Sequence, residues 1–468
     1  MHYHFLPSVL PVCHAVPAGV DVDAFIPELW AMDGLVELEA NVIMPFLVNR
    51  DYENDVRAFG DIVNVPKVST MRSRRKHKAT DITTDPAVAT NIQVPLDMHI
   101  YASTLIPDED LSKAQPELLA KYGARLAAAC ARQVDENIIG TMLQLRSGTT
   151  VGKLGTAPSR QTFIDIGKTA KNRNAPFGEW WMVFNPNMES DLLATTNLMD
   201  ADVIGDGGQA LREGFIGRKF GINTVWHNAA PSISGAHPTV TGAINLGAGY
   251  VKGTTTFVVD GLSAAISAGT WITIAGDMTP LRVVSTVGGA TPTSITTDKG
   301  SSAAVVDDAV VTVYTPGAIN LGAGYATNHG EELTVDGFTV APEQGQLIAF
   351  DATNAPHGIA TGTIGGSTTS LLLNRPTDAA LADDAIVAPG PIGEYGFAFH
   401  PDSMALVSRP LAAPPRGTGV LASVQNANNL SLRVVMGYDK NSQGMQITYD
   451  LLMGTAILEA ELGMVVLG

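Results

Sequence analysis

Charge is the scarcest property of this 468-residue chain: only 16% of its residues are Asp, Glu, Lys or Arg, against about a quarter in an average globular domain. So little charge fits a chain whose outside largely faces other subunits, although a secreted β-rich protein shares the deficit. Cysteine is nearly absent. Cys13 and Cys130 lie too far apart in sequence to form a chelating or redox pair, so no disulfide framework is expected and the cytosol is the natural compartment. No run of about 18 apolar residues occurs, so no membrane-spanning helix is expected. Residues 1–10 lack the basic start of a signal peptide.

Catalytic spacings are missing as well. There is no HExxH, no paired CxxC, no nucleophile elbow and no dinucleotide fingerprint, and the glycines around Asp206 resemble none of these. The histidines are scattered, and His2 with His4 reads as a terminal pair without a metal. The acidic pairs Glu331/Glu332, Asp307/Asp308 and Asp383/Asp384 would point to opposite faces of a strand. They read as solvated turns or as partners for a neighbour's arginine. No catalytic, cofactor-binding or metal residue is assigned. The formal net charge of −17 argues against a protein that wraps or grips nucleic acid, since that needs a basic surface to displace counterions. The wall of a nucleic-acid container has no such need.

What is present falls into seven stretches. Residues 1–48 form an arm and a helix over 24–48, where Phe25, Ile26, Leu29, Leu35, Leu38, Val42 and Met44 share an apolar face that Gly34 and Pro45 interrupt. Residues 49–107 are polar and turn-rich, with β pieces at 62–65 and 92–96. They hold the densest positive run of the chain: Lys67, Arg72, Arg74, Arg75, Lys76 and Lys78, with His77 among them. Three readings stand: an extended loop pairing its positive tip with an acidic neighbouring subunit, a solvated charge run, or a nucleic-acid contact, for which interleaved aromatics are lacking.

Residues 108–158 carry the strongest helical signal. Leu118, Tyr122, Leu126, Cys130, Val134, Ile138 and Met142 form one stripe, with Asp108 or Ser112 as cap and Pro116 in the first turn. A helix over 116–145 would be about 45 Å long. Residues 159–235 alternate: a helix at 159–171, a strand at 180–185, a helix at 187–193 with Glu189 and Asp191 in its first turn, and a strand at 220–226.

Residues 236–391 change character, becoming rich in Gly, Thr, Ala and Val, with Asp and Glu far outnumbering Lys252, Arg282, Lys299 and Arg375. The nine residues GAINLGAGY occur at 242–250 and again at 317–325. Each copy is followed by a strand ending in VDG, at 259–261 and 335–337, and then by another at 269–275 and 345–350. A duplicated β unit of roughly 50 residues is expected. Neither glycine string has the ending of a phosphate loop. Residues 392–430 return to mixed character, with a strand turning into a short helix over 397–409. Residues 431–468 end in strands, the last over 456–466, where Ile457, Glu459 and Glu461 alternate with Leu458, Ala460 and Leu462.

In this order the pieces resemble the tailed-phage major capsid proteins of the HK97 fold, in the branch similar to the phage P22 coat protein. The strings that carry the likeness are AGTWITIAG at 268–276, GFAFHPDSMALVSRPL at 396–411 and the closing GYDKNSQGMQITYDLLMGTAIL. The resemblance covers nearly the whole chain. It implies an α/β (α+β) capsid fold: an N-terminal arm, an extended loop over 49–107 that overlaps the next subunit, a spine helix in a peripheral domain over 108–158, and an axial domain split between 159–235 and 392–430. The core's C-terminal strands would occupy 431–468. The block 236–391 would be an inserted accessory domain like the family's six-stranded barrel, enlarged or rearranged by its duplication. Function would be assembly of an icosahedral shell around double-stranded DNA, in a virion built in the host cytoplasm through a scaffold-guided procapsid that expands on packaging. Implied partners are further copies as hexamers and pentamers, a scaffolding protein, a portal, a decoration protein and packaged DNA held without sequence specificity, with no membrane and no cofactor. The six loop cations named above are the expected intersubunit contacts. A β-rich adhesin and a hydrolase stay as alternatives.

Overall fold

The computed structural model describes residues 36, 38, 42–51, 62–68, 73–78, 81–82, 84, 89–109, 117–147, 149–176, 178–195, 216–233, 239–289, 291–314, 319–327, 329–330, 332–338, 342–350, 356–365, 368–415, 420–427 and 430–468. The chain is a mixed α+β protein, mostly strands with few helices. Most of the expected arm and helix at 1–48 lies outside the described residues; within the described part, 42–48, the chain makes a 3-10 turn at Met44–Phe46.

Helix α1 spans Glu117–Met142, about 39 Å at 1.5 Å per residue, and runs on into a 3-10 turn at Leu143–Ser147. The predicted stripe holds in its second half, where Cys130, Val134, Ile138 and Met142 are buried, while Tyr122 is 42% exposed. That buried face lies against an antiparallel sheet in which Gly444–Ile457 is the central strand. Met98–Pro107 pairs along one side of it, and Leu430–Asp439 along the other, followed outward by Val420–Ala427. Met404–Arg409 takes the last rungs, from Arg409↔Leu452 to Met404↔Ile457.

A second sheet carries the α/β character. Its order is Thr149–Gly152, Gly463–Leu467, Gly393–Phe399, Trp180–Phe184, Ile222–Trp226 and Arg218–Lys219, with Ser232–Ile233 also on Gly393–Phe399. Helices α2 (Arg160–Asn172) and α3 (Pro186–Ala194) cover one face through Phe163, Ile166, Met188 and Leu192. Both begin where the sequence supplies a cap: the Ser159 and Thr162 hydroxyls form a capping box on α2, and Asn185 accepts from Met188 N on α3, with Pro186 first in the helix. The other face of this sheet joins the core under α1 through Val183, Phe397, Phe399 and Val465.

Two sequence readings change here. The span 397–409 is two strands joined by a 3-10 turn at Pro401–Ser403, not a strand and a helix. The alternating run at 456–466 is not one strand. The long strand stops at Ile457, a 3-10 turn occupies Ala460–Leu462, and Gly463–Leu467 belongs to the other sheet. The alternation there reflects a crossing between two layers.

The acidic block folds as two successive β units, as the duplication predicts, but each is larger than the expected roughly 50 residues. The first is a closed six-stranded barrel built from Thr239–Ile244, Thr256–Asp260, Trp271–Ile274, Leu281–Val287, Ser294–Thr297 and Val310–Tyr314. Numbered within the unit, the strands run 1-2-5-4-3-6 around the barrel. The second uses Asn320–Leu321, Leu333–Asp336, Leu347–Ala349, His357–Gly365, Thr368–Leu373 and Ala388–Pro389 in the same order. Its first strand is tied to the segment just before the last one by an isolated Asn320↔Ile386 bridge and by hydrogen bonds from Leu321 N to Ala385 O and from Val387 N to Ile319 O, which close the six-stranded sheet into a barrel-like unit. The matching strings are therefore 75 residues apart because the repeating unit has six strands. The equivalence reaches the turns: Gly261 and Gly337 close the VDG strands, and Gly269 and Gly345 open the next ones, all four at positive φ (70°, 91°, 93° and 78°), where a side chain would be strained. Each unit has its own core, Phe257, Val259 and Ile274 in the first standing where Leu333, Val335 and Phe350 stand in the second.

Candidate functional site

The basic run sits on a two-stranded hairpin, Ile62–Val68 against Ala89–Pro95, in register from Ile62↔Pro95 to Val68↔Ala89. Strand alternation gives it one apolar face, and there Val63, Val65 and Val94 are buried against Ala405 and Val407, with Leu458 packed beside them. At its root Gly454 lies against the Pro95 carbonyl so closely that any side chain would clash. Near the other end, Lys67 Nζ lies 2.5 Å from Glu459 Oε2. Both side chains are over a third exposed, so this pair contributes about 1 kcal/mol or less.

The ladder thus lies on its own chain, while the connection beyond Val68 and Ala89 carries the remaining cations. Arg74, Arg75, Lys76, His77 and Lys78 are all exposed there. The structure brings these together and sets Lys67 apart, with a partner in its own chain. Arg72 lies outside the described residues. Like charges crowded on one connection repel each other, and an oppositely charged surface relieves that repulsion.

A second polar site went unread in the sequence: Asp135 and Glu136, adjacent on α1. Asp135 is 1% exposed. Its Oδ2 accepts from Ile43 N (3.1 Å) and His227 Nε2 (2.9 Å), and its Oδ1 accepts from Met44 N (3.1 Å). His227 Nδ1 accepts in turn from Ala229 N (3.0 Å), which leaves the ring proton on Nε2, facing the carboxylate. Glu136 accepts from Gln344 Nε2 of the second barrel at 2.6 Å. Burial pushes its carboxyl up to about 7, against the pull of Arg132, His227 and the Gln344 hydrogen bond, while Asp135 adds to the rise. One turn on, Gly140 makes room for Asn374 of that barrel, whose side chain a Cβ at Gly140 would overlap. Four segments therefore meet at one turn of α1: the segment at 42–48, the helix itself, the loop after Trp226 and the second barrel. The only sequence signal was two acids interrupting the stripe between Val134 and Ile138.

These groups are locked in mutual hydrogen bonds, which suits a clamp. The Cys130 thiol is pushed up to about 12, chiefly by burial, and so stays protonated and unreactive. Asp450, 3% exposed, is held by Arg433 Nε (2.9 Å) and Nη2 (2.5 Å) within the α1-covered sheet. Asp308 and Asp384 occupy positive-φ turn positions (57° and 60°). Asp307 Oδ1 accepts from Leu246 N and Asp384 Oδ1 from Asn320 Nδ2, both at 2.8 Å. His2, His4, Asp206 and Glu331 lie outside the described residues. Among the described residues no three metal-ligating side chains cluster, and no helix is long and apolar enough to cross a membrane.

No protein-family model matches the chain, and no curated protein matches it significantly. Among solved structures it is similar to a chain from Mycobacterium phage Che8, at 15% identity and a TM-score of 0.45, covering 91% of this chain and 90% of that one. It is also similar to a chain from the capsid of cyanophage P-SCSP1u (12% identity, TM-score 0.42, 88% and 84% covered) and to one from the mature capsid of bacteriophage PhiM1 (11%, 0.40, 87% and 82%).

Proposed function

We propose that this chain is a shell-forming subunit, the major capsid protein of a tailed-phage-like virus, of the HK97 fold and in the branch similar to the phage P22 coat protein. The observation that carries the reading is the hairpin at 62–95. Its ladder is bound to its own chain, its basic connection is exposed, and the chain around it has a net charge of −17. Such a chain holds both halves of a charge-matched contact with further copies of itself, and closed assemblies of identical chains need matched surfaces of this kind. The α1 strut beneath supports the same reading, since it spans one sheet and ties the second barrel to it.

On this reading residues 49–107 are the overlapping loop, 108–158 the spine and peripheral domain, 159–235 with 392–430 the axial domain, 236–391 the inserted accessory domain and 431–468 the closing core strands. Arg72, Arg74, Arg75, Lys76 and Lys78 make the intersubunit contacts. A scaffolding protein guides a precursor shell of hexamers and pentamers that expands as double-stranded DNA enters. A portal and a decoration protein complete the set of partners. Negative-stain microscopy of the purified chain tests this: shells, tubes or capsomers are expected, and uniformly separate particles at assembly concentrations would sink it.

A further inference from the structure

The two barrels share one fold, so each serves as a control for the other. Their cores agree, whereas one surface does not. Around the GAINLGAGY loop of the first barrel, Leu246, Val251, Val258, Val306 and Val310 are 37%, 77%, 42%, 69% and 48% exposed. They share one end of the barrel: Tyr250 and Val305 form a bridge, Tyr250 Oη accepts from Val258 N (2.7 Å), and Leu246 N donates to Asp307 beside Val306. In the second barrel Tyr325 and Leu381 form the same bridge, and Tyr325 Oη accepts from Thr334 N (2.6 Å). There Ala326 stands for Val251, Thr334 for Val258 and Ala382 for Val306, all exposed, while Leu321 is fully buried. At Val251, Val258 and Val306 the sister unit forms with Ala, Thr and Ala, so folding of the unit does not require valine there, while Ile386, 38% exposed, stands for Val310. A cluster of exposed aliphatic side chains with no folding role marks a contact surface.

Its rim identifies the occupant. Asp307 and Asp308 border the valines on the same loop, so the partner must present cations around an apolar side chain. The hairpin connection has that composition, with Arg75, Lys76 and Lys78 followed by Ile82, itself 75% exposed, whereas in the similar run Arg218, Lys219 and Phe220 the ring is already engaged by Phe163 and Arg160 of its own chain. We propose that the hairpin connection of one copy docks on the valine end of the first barrel of a second copy, with Ile82 against Val251 and Val306 and the cations facing Asp307 and Asp308. An apolar centre with a charged rim is the ordinary anatomy of such a contact, and the charges set orientation more than strength. This rests on the shell reading above and names the surface its basic arm engages.

Variants of the full chain with one added cysteine each, Ile82→Cys and Val306→Cys, mixed, assembled and oxidised, test it. Ala382→Cys is the sister-barrel control, and the unaltered chain, with Cys13 and Cys130, the blank. Val251→Cys is a second probe should Val306→Cys lower the melting temperature. The expected result is a disulfide-linked dimer from Ile82→Cys with Val306→Cys, absent with Ala382→Cys and weakened as salt rises from 0.15 to about 1 M, where screening shortens from about 8 to about 3 Å. Shells without that dimer, an equal yield with Ala382→Cys, or a dimer of Val306→Cys with itself would overturn the contact and leave the shell reading standing. The dimer formed in small oligomers that never close would uphold the contact and end the shell reading. No association at all would end both.

Discussion

Asp135 shows how much one side chain can hold. Two backbone amides and a histidine N–H converge on a carboxylate that is 1% exposed, so its removal leaves three buried donors without an acceptor. Asp135→Ala is expected to cost about 3–5 kcal/mol, the range for breaking a buried charged network, and to speed hydrogen exchange at the Met44 amide first. Its neighbour sets a pH dependence. Glu136 holds its proton to about 7 in the folded chain against 4.5 for the free group. The folded state therefore binds more protons between these values, so stability is fullest below about 4.5 and declines as pH rises to about 7. At 1.36 kcal/mol per unit the loss is about 3 kcal/mol. Urea midpoints measured from pH 4.5 to 8 should show this decline, and Glu136→Gln should flatten it. Neither role could be read from the sequence, because an acidic pair in a helix is solvated unless other segments cover it.

Elements were legible where their signals are local. Helices α2 and α3 begin at Ser159 and Asn185 because a cap needs only its own next three residues, and Ser159→Ala should cost α2 about 1 kcal/mol, visible as a lower melting temperature. The strand reading at 456–466 failed for the opposite reason: alternation reports facing and cannot say that the chain leaves one sheet and enters another at Ala460–Leu462. Contacts between elements were equally hidden. Trp271 of the first barrel is fully buried and donates from Nε1 to Ala388 O of the second at 3.2 Å. Trp271→Ala should cost about 3–5 kcal/mol and loosen one barrel from the other, detectable as protease cleavage between residues 314 and 319. Gly140→Val should press against Asn374 and cost about 1–3 kcal/mol by overpacking, with the second barrel's amides exchanging faster while those of the first do not.

Across the whole molecule the distribution of charge is the organising fact. The chain is acidic, its inserted barrels are more so, and its one dense basic run lies exposed on a connection outside the main sheets. Charge reversal at two of those positions, Arg74→Glu with Arg75→Glu, should leave a soluble, folded chain that does not close into shells, judged by electron microscopy beside the unaltered chain. Normal particles from that variant would remove the basic connection from the assembly contact. Lys67→Glu is expected to act differently. It breaks a pair within the chain, with Glu459, so its effect should be at most about 1 kcal/mol of stability, with shells still forming.

From the sequence alone came the scarcity of charge and cysteine, the spine-like stripe, the helix caps, the basic run and the duplication, for each is written in neighbouring residues or in a repeat of letters. Tertiary structure decided that the repeat is two six-stranded units, that Lys67 pairs within its own chain while the cations from Arg74 to Lys78 are exposed, that Asp135 and Glu136 are a buried clamp, and that Val251, Val258 and Val306 gather exposed around Tyr250 of the first barrel. Those outcomes depend on which distant segments meet, and burial, pairing and desolvation arise only when they do.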